Sequence, residues 1–142
     1  MSRLAGRDER GSTTLELVVW APGLLLLTGL LTVAGRVNSA NAAVEQAAVD
    51  AARTASSARA AAAGLAQAGA GRTLAAQGLQ CTTTTVALDT SGFATPPGQS
   101  ATVTATVTCP VRLSDLSIPG LPGTRTVSHT ATSSLDTFRE RS

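Results

Sequence analysis

Glu16 is the residue of this sequence whose position most directly suggests a chemical role. It stands at the mouth of a long apolar run and five residues after Gly11. A carboxylate at the edge of a hydrocarbon layer must be neutralised, paired with a cation or held at the level of the lipid headgroups. An N-terminal amine freed on a neighbouring subunit would supply such a cation. The spacing therefore predicts an assembly contact at Glu16.

A local interpretation of Glu16 stands beside this one. The run Thr13-Thr14-Leu15-Glu16 fits a capping box, in which the threonine hydroxyl and the glutamate carboxylate each bind backbone N–H groups at a helix start. The two roles are compatible. Capping alone does not require Gly11 or the arginines that precede it.

Residues that could support catalysis or cofactor binding are scarce. The sequence has one histidine, no glycine-rich phosphate loop, no paired carboxylates on one helical face and no cluster with metal-ligand spacing. We therefore predict no enzymatic activity, no metal and no cofactor. His129 is interpreted as a partly buried strand residue. The eleven basic residues are scattered arginines without stacking aromatics, and the net charge is only +2, which argues against nucleic-acid binding.

Cys81 and Cys109 are the only cysteines, and both lie in the C-terminal half. Around Cys109, apolar and threonine residues alternate with the period of two that is typical of a half-buried strand, which turns Cys109 inward. We predict a disulfide between the two, worth roughly 3 to 3.5 kcal/mol on the chain-entropy model. Two unpaired buried thiols are the alternative, and a zinc site is less favoured because only His129 could join the cysteines.

The segment Leu17–Gly35 contains no charged residue over 19 positions. As a helix it would extend about 28 Å, which matches a hydrocarbon core of about 30 Å. Pro22 lies inside it, and we expect it to kink the helix. Arginines flank the segment on both sides, so the positive-inside rule only slightly favours a cytoplasmic N-terminus, and the predicted disulfide adds to that orientation.

Beyond the span, an alanine-rich pattern predicts that the helix continues to about Ala68, where glycines weaken it. Its small apolar residues recur at helical spacing, at Val37, Ala40, Val44, Ala47, Ala51, Ala55, Ala58, Ala62 and Leu65. This stripe suits lateral packing of helices, although a solvent-facing alanine-rich helix is an equal alternative. From Cys81 three strand patterns follow, over residues 81–89, 101–113 and 124–136.

The predicted fold class is α+β, with a long N-terminal helix, membrane-spanning in its first half, followed by a small antiparallel sheet of about three strands. The predicted segments are a leader at 1–11, a transmembrane helix at 12–36, an extracytoplasmic alanine-rich helix at 37–68, a linker at 69–78 and a disulfide-closed β domain at 79–142.

The motif GSTTLE runs from Gly11 to Glu16 and lies between an arginine-bearing leader and an apolar run. It looks like a prepilin cleavage site. With ELVVWAP, the leucine run and VEQAAVDAARTA, it resembles the TadE-like pseudopilins of tight-adherence (Flp-type) pilus systems over roughly Arg10–Ala55. The resemblance implies cleavage between Gly11 and Ser12 by a prepilin peptidase, and recognition of Glu16 in assembly. It also implies other pilins or pseudopilins and membrane platform proteins as partners, with the C-terminal domain outside the cytoplasm.

Two interpretations of another class remain open. The small residues Ala40 and Ala42 resemble a signal-peptidase site, which would release a soluble binding protein, although the apolar run is longer than the usual 7–15 residues of a signal-peptide core. An unprocessed single-span anchor with an adhesive or scaffolding exterior is the other. The three interpretations predict different mature N-termini, at Ser12, Ala43 or Met1.

Overall fold

The computed structural model describes residues 10–115 and 122–137, with side chains described from Glu16 onward. The predicted leader up to residue 9, the middle of the loop before the third strand and the last five residues lie outside these ranges. The chain divides into two compact units at the Gly35–Arg36 boundary. We call them the N-terminal unit and the C-terminal unit and describe each by itself.

The elements follow in the order helix, helix, three strands, so the predicted α+β class is confirmed. They are α1 (Arg10–Ala58), a 3-10 turn (Arg59–Ala61), α2 (Ala62–Ala76), β1 (Thr85–Asp89), a second 3-10 turn (Ser91–Ala94), β2 (Thr102–Arg112) and β3 (Thr124–Ser134). The first strand is shorter than the sequence pattern indicated, because Cys81 makes only an isolated bridge with Val111.

Helix α2 folds back along α1, a feature that the sequence period did not indicate. Thr73 Oγ1 donates a hydrogen bond to Asp50 Oδ2 at 2.8 Å, although these residues would lie about 35 Å apart on one straight helix. The reversal takes place at the 3-10 turn, where Ala58 (φ −111°, ψ 4°) and Ala61 (φ −110°, ψ 15°) leave helical geometry.

The helix ends later than the glycine pattern predicted. In place of the linker expected at residues 69–78, α2 continues to Ala76. Gly69 is buried, and a Cβ at this position would lie 3.6 Å from Thr54 Oγ1 on α1, so close packing of the two helices compensates for a poor helix former.

The actual end of α2 is a Schellman motif built on Gly78. Gly78 has a φ of +70°, its N–H binds the carbonyl of Ala75, and the N–H of Leu79 binds the carbonyl of Leu74 at 3.0 Å. Leu79 also packs against the hydrophobic core, to which Leu74 belongs. The chain then turns from the helices to the sheet.

The alanine stripe forms the inside of the C-terminal unit. It lies in one hydrophobic core with the inward residues of β2, which corrects the interpretation of a solvent-facing stripe. Leu65, predicted on the stripe, is 45% exposed, because the chain reverses before it and α2 buries other positions instead. The buried residues of α2 are Ala62, Ala66, Gly69, Ala70 and Leu74.

The sheet has the order β1-β2-β3, and both pairs are antiparallel. The predicted phase of β2 is confirmed, since its odd-numbered residues from Val103 to Val111 are buried. On the opposite face, hydroxyl groups of β2 and β3 bond across the strands, for example Thr106 Oγ1 with Thr130 Oγ1 at 2.9 Å. Alternation along β2 therefore separates an apolar inner face from a hydroxyl-rich outer face.

The outer edge of β1 is bonded to a side chain of α2. Gln67 Nε2 donates to the carbonyl of Thr84 at 2.6 Å, and Gln67 Oε1 accepts from the N–H of Val86 at 3.1 Å. One amide thus pairs a donor and an acceptor that β1 would otherwise present to solvent or to another strand.

Candidate functional site

The apolar part of α1 exposes its large side chains along its length. Its large side chains are exposed on every side of the helix, with Trp20 at 64% and Leu26 at 77%. Single exposed apolar residues are common in soluble proteins, but a continuous band around a whole helix is the pattern of a segment that meets lipid or another protein. By its length and composition, this helix is long enough and apolar enough to cross a membrane.

Polar groups inside this segment are bonded within the helix. Thr28 Oγ1 donates to the carbonyl of Leu24 at 2.7 Å, and Thr32 Oγ1 donates to the carbonyl of Thr28 at 2.8 Å. A lipid environment favours such internal bonds because it offers hydroxyls no water. Pro22 lies inside α1, which continues on both sides of it. The kink at Pro22 remains a prediction.

The residues of the predicted processing site lie at the beginning of α1. Gly11, Ser12 and Thr13 are helical in the described part of α1, and Glu16 is exposed further along. Thr13 is therefore inside the helix and is not its N-cap, which corrects the capping-box interpretation.

The predicted disulfide is confirmed. Cys81 and Cys109 are bonded, with their Cα atoms 5.2 Å apart. The bridge joins the segment after α2 to the inner face of β2. Cys109 is fully buried and Cys81 is half-buried. No free cysteine is present, so the alternatives of unpaired thiols and a zinc site are wrong.

His129 is half-buried on the inner face of β3, opposite Val107 of β2. Its strand neighbours on that face include the buried Val127 and the half-buried Ala131. This placement agrees with the interpretation of His129 as a strand residue. Within the described ranges, no three histidine, cysteine or acidic side chains lie close enough together to hold a metal ion.

Asp89 has a shifted pKa, and the cause is structural. At the end of β1, its carboxylate accepts hydrogen bonds from the backbone and the hydroxyl of Ser91, which hold the pKa of Asp89 below its usual value of 3.8. The backbone bond, from the Ser91 N–H to Asp89 Oδ1, is 3.0 Å long. This i to i+2 bond is an Asx-type turn at the end of β1, just before the second 3-10 turn.

Several positioning residues were not found from the sequence. Gln67 and Asp50 bond to distant partners, and each is an unremarkable polar residue in an alanine-rich helix. No local pattern distinguishes them, since their partners lie 17 or more residues away in the chain. Only the return of α2 and the sheet bring them together.

Comparison with known protein families finds a match at the N-terminal part of the chain. The family model described as TadE-like protein matches residues 11–53, which includes Glu16, the apolar segment and the first part of the alanine stripe. No curated protein and no solved structure matches the chain. That family is structural and non-enzymatic, and a TadE-like segment suggests involvement in Tad (Flp-type) pilus systems. The chain therefore carries a TadE-like segment at residues 11–53, as the resemblance in its sequence predicted.

Proposed function

We propose that this protein is a pseudopilin or minor pilin that takes part in the assembly of a tight-adherence (Flp-type) pilus. A prepilin peptidase removes the leader between Gly11 and Ser12. The apolar segment of α1 spans the cell membrane once, with a cytoplasmic N-terminus and an extracytoplasmic C-terminal unit. Glu16 then contacts the freed N-terminal amine of a neighbouring pilin, and platform proteins in the membrane carry out assembly.

One observation carries this proposal: the TadE-like match covers the same residues as a helix whose apolar side chains are exposed all round. An apolar helix with a single acid at its start can be held in a bilayer and then packed sideways among similar helices. In an apolar bundle, an unpaired Glu16 is costly and a paired one fixes the axial position of its subunit. The disulfide supports an extracytoplasmic location for the C-terminal unit, because such bonds persist in oxidising compartments.

The secreted alternative is less compatible with the packing of the C-terminal unit. Cleavage after Ala42 would cut through α1 and detach Ala40, which is 3% exposed in the hydrophobic core, and Val37, which packs against that core. A mature protein that begins at Ala43 would lose these contacts. An unprocessed single-span anchor would keep these core contacts. It differs from the proposed pilin in its mature N-terminus, which would be Met1 and not Ser12.

Intact-mass measurement of the membrane-extracted protein, from cells with and without an active prepilin peptidase, tests the proposal. We expect a chain that begins at Ser12 when the peptidase is active and the full leader when it is not. A chain that begins at Met1 in both cells would favour the unprocessed anchor, and one that begins at Ala43 would favour secretion.

A matched pair of variants makes the test specific to the cleavage site. Gly11→Val places a β-branched side chain at the scissile bond, where a glycine lets the protease hold the backbone extended, and we expect it to abolish processing. Gly6→Val adds the same side chain elsewhere in the leader and should be processed normally. Equal processing of both variants would refute the assignment of the bond.

A further inference from the structure

Three arginines lie at one end of the C-terminal unit. Arg36, Arg112 and Arg125 are all exposed. Arg36 lies on α1 and shares a cleft of about 140 Å³ with Asp115, and a neighbouring cleft is lined by Asp115 and Arg112. Arg125, on β3, pairs with Val111 at the same end of the sheet and shares its face, whereas Arg112 lies one position along β2 and projects from the other face. We call this surface the arginine end.

Charge is distributed unequally between the two ends of this unit. At the arginine end, the acidic residue among the described positions is Asp115, against three arginines. Glu45 lies nine residues after Arg36 on α1, about 13 Å further along the axis, and so beyond a Debye length of about 8 Å.

The opposite end, near the contact of Ser56 with Ser133, carries both signs of charge. Among the described residues, Asp89 and Asp136 lie there with Arg53 and Arg59, and the Arg59 guanidinium lies over the Phe93 ring at 5.9 Å. Within the described ranges, the excess of positive charge is therefore at the end that contains Arg36.

The sequence connects this end directly to the apolar segment. Arg36 follows Gly35, the last residue of the uncharged stretch, so if that stretch spans a bilayer, Arg36 must lie at the level of the headgroups. Arg112 and Arg125 are held near it by the folding of the sheet, although they are more than 70 residues away in the chain. Guanidinium groups bind phosphate oxygens through paired hydrogen bonds.

We propose that the arginine end binds the phosphate groups of anionic phospholipids and thereby docks the C-terminal unit on the outer surface of the membrane. This inference rests on the proposed membrane insertion. Attraction of a basic residue to an anionic surface strengthens association by about fivefold per arginine. Removing Arg112 and Arg125 should therefore weaken docking by about 25-fold.

The test uses the full-length protein in nanodiscs, either of phosphatidylcholine alone or with phosphatidylglycerol added. Hydrogen exchange is followed in the amides of residues 112–115 and 124–126. We expect slower exchange in the anionic discs, and we expect this protection to disappear at 1 M salt, where the Debye length is about 3 Å. Equal exchange in both discs would overturn the proposal.

Two double variants distinguish an effect of the arginine end from an effect of the total positive charge. Arg112→Gln with Arg125→Gln should lose the lipid-dependent protection, whereas Arg53→Gln with Arg72→Gln removes the same charge from α1 and α2, outside the arginine end, and should keep it. Circular dichroism of each variant checks that the fold is intact. Equal loss in both pairs would refute a localised site.

Two further controls are needed. One distinguishes binding of lipid phosphate from binding of soluble phosphate, and the other distinguishes membrane insertion from docking. Inorganic phosphate at millimolar concentration, added to the detergent-solubilised protein, should give no protection. Protection there would point to a soluble anion as the ligand and would overturn the membrane assignment. A chain that does not co-purify with the discs would refute the proposed membrane insertion, whereas an inserted chain without lipid dependence would refute only this inference.

Discussion

Glu16 directly precedes the uncharged segment that begins at Leu17, and its side chain is exposed on α1. Its position on the helix is fixed by the backbone, so the carboxylate is available at one level along the axis. At the residue scale, the proposed function depends on what that charge contacts in the assembled state.

We expect Glu16→Ala to insert in the membrane normally but to fail to incorporate with partner pilins. Loss of one charge at the edge of the span does not oppose insertion, whereas the partner amine would be left unpaired in an apolar bundle. Co-purification of the variant with co-expressed pilins measures the effect. Glu16→Gln, which keeps the shape and removes the charge, should fail similarly.

Glu45→Ala is the matched control for Glu16, because Glu45 is an exposed acid on the same helix but lies in the C-terminal unit. It should incorporate normally. If Glu16→Ala does so as well, the assembly role of Glu16 is wrong.

At the scale of elements, β1 is short and its outer edge is bonded to the Gln67 side chain. Two hydrogen bonds at this edge fix the position of α2 against the strand. They also leave fewer free backbone groups for pairing with another chain.

We expect Gln67→Ala to lower the free energy of unfolding by about 1 to 2 kcal/mol, since a hydrogen bond contributes about 0.5 to 1.5 kcal/mol net. Amide exchange at Val86 should become faster. Chemical denaturation and hydrogen exchange measure both. Gln80→Ala, an exposed glutamine after the end of α2, is the control and should change neither. A Gln67→Ala variant with unchanged exchange at Val86 would contradict the bond.

The disulfide joins the segment after α2 to β2 with a sequence separation of 28 residues. We expect Cys81→Ser to lower the free energy of unfolding by about 3.5 kcal/mol on the chain-entropy model. Cys81 is the better position for the change because Cys109 is fully buried, and a serine there would add the cost of burying a hydroxyl.

Non-reducing gels and denaturant unfolding measure the loss of this bridge. Wild-type protein under reducing conditions is the control and should unfold at the same denaturant concentration as Cys81→Ser. An unfolding midpoint equal to that of the oxidised wild type would show that the bridge does not stabilise the unit.

At the scale of the whole molecule, the two units differ in what stabilises them. The C-terminal unit has a core of alanine, valine and leucine closed by a disulfide, whereas the apolar residues of the N-terminal unit are exposed. The N-terminal unit therefore depends on its surroundings, and the C-terminal unit is held together by its own contacts.

Leu26→Arg should impair membrane insertion, because a charge at the centre of a span costs about 3 kcal/mol. Flotation of membranes measures the inserted fraction. Leu65→Arg, at an exposed leucine of α2, is the control and should insert normally. Normal flotation of Leu26→Arg would argue that the segment does not lie in lipid.

The sequence by itself determined the apolar segment and the phase of β2. These features depend on runs of residue type and on strict alternation, which are local and repeat many times, so packing elsewhere does not change them. The TadE-like match falls on the same kind of local pattern.

Only the tertiary structure decided where the alanine-rich helix reverses and what its alanines touch. Alanine and glycine have small side chains that are compatible with helix, turn, core and surface, so their order in the chain did not predict the break at Arg59–Ala61 or the helical Gly69. Contacts between residues far apart, such as Asp50 with Thr73 and Gln67 with β1, settle these choices. Small side chains bury little area each, so they form a core only when α1, α2 and the sheet are packed together. No local segment of the sequence specifies that packing.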